Sequence, residues 1–155
     1  MGCDIHTFVE KRVNGQWLAA EQLEEADEGE THQRLPKTRS FTGGRDYRLF
    51  GLLSGVRWDW GMKIIPDADM CIPEDASAEV KAEHAWWDSD AHTEGWLSWQ
   101  SLQDALKDIN INVLMGKMEP AAKEAIDELT ENFTHIAESY HLNVREMRII
   151  LWYDN

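Results

Sequence analysis

The last nine residues, MRIILWYDN, place apolar side chains at every position from Ile149 to Tyr153. Successive side chains of a strand point to opposite faces, so this segment is apolar on both and belongs in the interior of a sheet, away from an edge. A two-faced strand that follows a long amphipathic helix implies a sheet with helices packed against it. The partner is sought at the other end, in MGCDIHTFVEKRVNGQWL. There Ile5, Val9 and Val13 fall on one face of an alternating strand and Asp4, His6, Glu10 and Arg12 on the other. Both Asn14 and Gly15 tolerate the positive φ of a type I′ turn, which sends Gln16, Trp17 and Leu18 back antiparallel.

Between these ends the apolar period is helical. Leu49, Phe50, Leu52, Leu53 and Val56 predict a short buried helix with Gly55 as its stop, and 77–87 predicts another. Ser98 suits the cap of a third, whose stripe is Leu102, Ala105, Leu106 and Ile109. Pro120 suits the first turn of the clearest one, in which Ala122, Ile126, Leu129, Phe133, Ile136 and Tyr140 recur at spacings of four and three. Residues 21–30 read as an acidic solvated loop and 57–76 as a long connection. The expected architecture is α+β: one domain over 1–155, with an antiparallel or mixed sheet that includes the N-terminal hairpin and the C-terminal strand, covered by several helices.

A formal net charge of -14 argues against direct binding to a nucleic-acid backbone, which is driven by basic surface. The charge is uneven. Arg34, Lys37, Arg39, Arg45, Arg48 and Arg57 face a single acid, Asp46, within one window. Such a window either makes a local anion site or balances neighbouring acids. No apolar run reaches the roughly 20 residues of a membrane span. Two cysteines, Cys3 and Cys71, with no secretory pattern ahead of them, lead us to expect reduced thiols in a cytoplasm.

Two segments repeat an acid-x-histidine pattern, CDIH at the start and DSDAHTE in the middle. Extended and brought together, they would offer Asp4, His6, Asp90 and His92, two imidazoles and two carboxylates of the kind that hold Zn, Mn or non-haem Fe. Asp154 or Asp88 would serve as a further ligand, a base or a partner that fixes a histidine tautomer. The competing reading is structural, with each group satisfied by local hydrogen bonds. His32, His84, His135 and His141 lack a partner pattern and read as surface or packing residues. Several of the eight tryptophans cluster in sequence around the polar array, either as core or as the wall of a ligand pocket.

Five blocks carry a likeness: GCDIH, RDYRLFGLLSGVR, PEDAS, DAHTEGWL and RIILWYDN. On these the whole chain resembles a family of proteins encoded by bacteriophages and bacterial genomes, with Thr93 standing where relatives usually have Ser. The resemblance brings no established activity. It implies a phage or prophage setting, hence a bacterial cytoplasm, and directs attention to Cys3, Asp4, His6, Arg45, Tyr47, Arg57, Asp90, His92 and Asp154. The expectation drawn from residues and resemblance together is a polar pocket of Asp4, His6, Asp90 and His92, with a divalent metal. Arg45 and Arg57 would receive an anionic, phosphorylated or nucleotide-like ligand, and Asp154 would assist hydrolysis. Two alternatives are an acidic inhibitor of a host protein and a nucleotide-binding module without turnover.

Overall fold

The structure, a computed structural model, describes residues 2–25, 28–29, 33–37 and 41–155. The expectations for His32, for Arg39 and for part of the acidic stretch 21–30 lie outside the described residues. Four antiparallel strands form one sheet: β1 (Asp4–Val13), β2 (Gln16–Ala19), β3 (His92–Ser98) and β4 (Met147–Asp154), in the order β2-β1-β4-β3. The C-terminal strand is interior, as its two apolar faces require, and the N-terminal hairpin pairs beside it. Asn14 and Gly15 adopt φ of 52° and 77°, the signs a type I′ turn needs.

Helices α1 (Tyr47–Ser54), α3 (Trp99–Leu114) and α4 (Pro120–Ser139) cover one face of the sheet. Their buried side chains, among them Leu53, Ile109, Ile126 and Phe133, form one core with Ile5, Val9, Leu97, Ile149, Leu151 and Tyr153. Helix α2 (Ala78–Trp87) lies on the other face, where Val80 joins Phe8, Ile150 and Trp152. Phe8 and Trp152 stack with ring centroids 4.7 Å apart. The sheet is thus a partition between two cores.

Local chemistry sets the helix ends. Asp46 accepts from the Arg48 N–H at the start of α1, and Gly55 closes it at φ 73°. Ser77 and Ser98 cap α2 and α3 in the same way.

The polar face of β1 is buried at its middle, at His6 and Glu10, and open at its ends. Glu10 is fully buried; it accepts from Arg148 Nε at 2.8 Å and from the Ser77 N–H at 2.6 Å, which ties β1 and β4 to the start of α2. Two charges removed from water together in this way are stable only because each keeps its partner.

Strand β3 is the strand that the sequence pattern marks least. The run DSDAHTEGW reads as a polar interruption, yet Asp88–Asp90 forms a 3-10 turn and His92 begins the strand. A bulge lies between His92 and Gly95, with Thr93 at φ 53°. Gly95 occupies an inward position where a side chain would meet Ile65, since a Cβ there would lie 3.1 Å from Ile65 Cδ1. The apolar residue that would have marked a strand is therefore supplied by a neighbouring loop.

Candidate functional site

His6 and Asp154 sit diagonally across the β1/β4 pair, because Asp4 is opposite Asp154 and His6 is opposite Trp152. His6 Nε2 lies 3.1 Å from Asp154 Oδ2. A carboxylate accepts and does not donate, so the proton of the neutral ring belongs on Nε2, and Nδ1 keeps its lone pair. Among the described residues Nδ1 makes no hydrogen bond. Burial holds the His6 pKa below its ordinary 6.5; Asp154 opposes this, and Lys37 adds to it. The ring is therefore an uncharged base at neutral pH, oriented by an acid.

This base forms part of the wall of an open cleft of about 330 Å³, which is also lined by Phe8, Arg34, Lys37, Glu83 and Trp87. Trp87 packs on His6 with ring centroids 4.2 Å apart. Glu83 organises the opposite side. Its carboxylate receives Arg34 Nε at 2.9 Å and Nη2 at 2.8 Å, the Leu35 N–H at 2.9 Å and Trp87 Nε1 at 3.1 Å. Burial alone would raise the Glu83 pKa, but these four donors bring it below 4.5. Arg34 also lies 3.5 Å over the Trp86 ring. The segment 33–37 is thereby clamped to α2, which brings Lys37 to the mouth of the cleft. Lys37 forms no ion pair among the described residues.

The expected four-residue pocket does not form. His92 pairs with Tyr153 in the sheet and His6 with Trp152, so these consecutive partners place the two imidazoles on opposite faces. His92 stacks on Tyr153 with centroids 6.1 Å apart and contacts Thr93 Oγ1 through Nδ1 at 2.9 Å. Asp90 is exposed at the end of its 3-10 turn. Asp4 is engaged by Arg45, with Nε at 2.6 Å and Nη2 at 2.9 Å, and this pair lowers the Asp4 pKa. Among the described residues no group of three or more His, Cys, Asp or Glu side chains is placed to hold a metal ion. The donor set expected for Zn, Mn or Fe is divided by the sheet.

The arginines are likewise placed elsewhere than expected. Arg45 is spent on Asp4 and does not line the cleft. Arg57, at φ 64°, donates to Asn155 Oδ1 at 3.3 Å. It also meets the buried Cys3 thiol, whose pKa burial raises and Arg57 only partly restores. Of the expected set, the structure unites His6 with Asp154 and Asp4 with Arg45.

The residue that sequence reasoning did not single out is Glu83, whereas Trp87 belongs to the tryptophan cluster expected either as core or as a pocket wall. The signal of Glu83 was available, since it follows Val80 by three and precedes Trp87 by four, which puts an acid on the buried stripe of α2. His84 is paired with Glu94 at 3.0 Å, whereas His135 and His141 are exposed. No helix among the described residues is long and apolar enough to cross a membrane. No protein-family model, no curated protein and no solved structure matches this chain, so the chemistry of the cleft rests on its own residues.

Proposed function

We propose that the cleft binds a small phosphorylated or nucleotide-like molecule in a phage or prophage setting, and that the chain hydrolyses it with His6 as general base. The observation that carries this is His6, in the wall of the cleft and 3.1 Å from Asp154. His6 Nδ1 takes a proton from water, the water oxygen bonds to the electrophilic centre, and the leaving group departs with the electron pair of the broken bond. Asp154 stabilises the imidazolium that forms. The Lys37 ammonium receives the anionic group, and Trp87 offers a flat apolar surface to a ring. The metal expected from the two acid-x-histidine segments has no part in these steps, because the sheet separates its ligands.

The test uses the full chain with a panel of nucleotides and sugar phosphates, reading thermal shift for binding and chromatography for products. A ligand of this class should raise the melting temperature. His6→Gln should keep binding and lower turnover by about a hundredfold or more, while Lys37→Glu should weaken binding about tenfold. Turnover indifferent to His6→Gln, or no ligand from the panel, overturns the reading. Binding without products in the parent chain would leave a binding module in place of an enzyme.

A further inference from the structure

At the other end of the same sheet face lies a second open cleft, of about 410 Å³, unrelated to the His6 pocket. Three half-buried tryptophans from distant parts of the chain line it: Trp17 of β2, Trp96 of β3 and Trp99 at the start of α3. Large aromatic surfaces left half open are costly unless they serve packing or recognition. Here the rings are held in place from within the protein. The Arg148 guanidinium is fixed by Glu10 and lies 4.2 Å from the centroid of Trp17 and 5.5 Å from that of Trp96, while Trp99 packs on Phe133. Side chains fixed in this way pay little ordering entropy on binding.

The charge of this cleft is opposite to that of the molecule. On a chain of net charge -14, its lining contains Arg12 and Arg145 and no carboxylate. Glu146 pairs with Arg12, accepting from Nε at 2.9 Å and from Nη2 at 3.3 Å, so the uncompensated charge at the rim is that of Arg145. Arg145 is exposed, and its guanidinium forms no ion pair among the described residues. The N-terminus of α3 adds to this field, with Ser98, Trp99 and Gln100 all on the lining. Flat aromatic walls beside cations and a helix N-terminus suit one class of ligand, a planar ring that carries an anionic group.

We infer that this cleft, formed by Trp17, Trp96 and Trp99 with Arg145 at its rim, is a binding site for a small aromatic anion. The ring stacks on indole and the anion meets the Arg145 guanidinium, which can take a phosphate or carboxylate through two parallel hydrogen bonds. The inference stands apart from the reading of the His6 pocket, since the two clefts share no residue.

The full chain is titrated with AMP and, separately, with naphthoate, adenosine and inorganic phosphate, reading tryptophan fluorescence. AMP or naphthoate should quench saturably, and which of the two binds tighter separates a phosphate source from a carboxylate one. Adenosine should bind at least tenfold more weakly than AMP if phosphate is the anion. Arg145→Glu should weaken the aromatic anion at least tenfold, and Lys117→Glu, an exposed change of the same charge outside both clefts, should leave it unchanged. Trp17→Leu, checked for folding by circular dichroism, should do the same as Arg145→Glu; if it does not fold, the exposed Arg145 position decides alone. No saturable quenching by about 10 mM of either anion, affinity indifferent to Arg145→Glu, or affinity lost equally in Lys117→Glu each overturns the assignment.

Discussion

On the His6 imidazole, burial and a carboxylate pull in opposite directions, and burial prevails. The consequence for folding follows from proton counting. A folded pKa below the unfolded 6.5 means that the unfolded chain takes up a proton first as the pH falls. The contribution of His6 is therefore complete above about 6.5 and is lost as pH falls through the lower folded value. NMR titration of the ring should show a midpoint under the ordinary range, and Asp154→Asn, which removes the opposing influence, should lower it further. A midpoint at or above the ordinary value in the parent chain would remove the neutral base that the proposed chemistry needs. Glu83 titrates with the same sign, its support present above 4.5 and lost as pH falls through its depressed folded value. Glu83→Gln takes the charge from a carboxylate whose side chain is 1% exposed and weakens the hydrogen bonds it receives from Arg34, the Leu35 N–H and Trp87. A loss of about 2 kcal/mol is expected in urea unfolding, as for hydrogen bonds to a charged group. What residue patterns could reveal here was the pairing of Asp4 and His6 on one side of β1. They could not reveal that α2 would bury that side, because the partners of Glu10 and Glu83 come from Arg148, Arg34 and backbone amides far along the chain.

Elements with a strong local signal formed where the periodicity placed them. The hairpin turn needed two residues at positive φ, α1 needed its glycine stop, α4 its proline start, and β4 two apolar faces. Strand β3 lacked such a signal, because a bulge and Gly95 remove the alternation that marks a strand. That single omission is why the sequence pattern allows the two histidines to converge: without the register of β3 against β4, the face of His92 is undetermined. Two substitutions probe how the elements are fastened. Ser98→Ala deletes the hydroxyl that accepts from the Ser101 N–H at 3.1 Å and should cost about 1 kcal/mol of unfolding free energy. Gly51→Ala in α1 is the harsher change, even though alanine favours helix, since a Cβ there would lie 2.4 Å from the Trp58 carbonyl oxygen. The backbone at 58 would have to move, so a loss of about 1–3 kcal/mol is expected from urea denaturation. A stabilised Gly51→Ala chain would show that the loop at 58 packs less closely than described.

Across the whole molecule, the sheet separates two chemical settings. One face meets α1, α3 and α4 and is almost wholly apolar; the other meets α2 and carries the Glu10–Arg148 pair between two clefts, with His6 in one and Arg145 in the other. Both clefts hold cations in a molecule whose surface is acidic, so long-range repulsion of anions competes with local attraction. The same imbalance bears on stability. Exposed ion pairs such as Arg12–Glu146 and Lys123–Asp127 contribute little each and are weakened by salt. Against them stands the mutual repulsion of an excess of acids, a net charge of -14, which salt also screens. With a Debye length of about 10 Å at 0.1 M, the many longer-range repulsions are removed before the few close pairs are. Raising sodium chloride from about 0.02 M to about 0.5 M should therefore move the urea midpoint upward without changing the slope of the transition. A midpoint that falls instead would mean that the paired charges outweigh the unpaired acids, and that the cations lining the two clefts do more to hold the fold together than to receive a ligand.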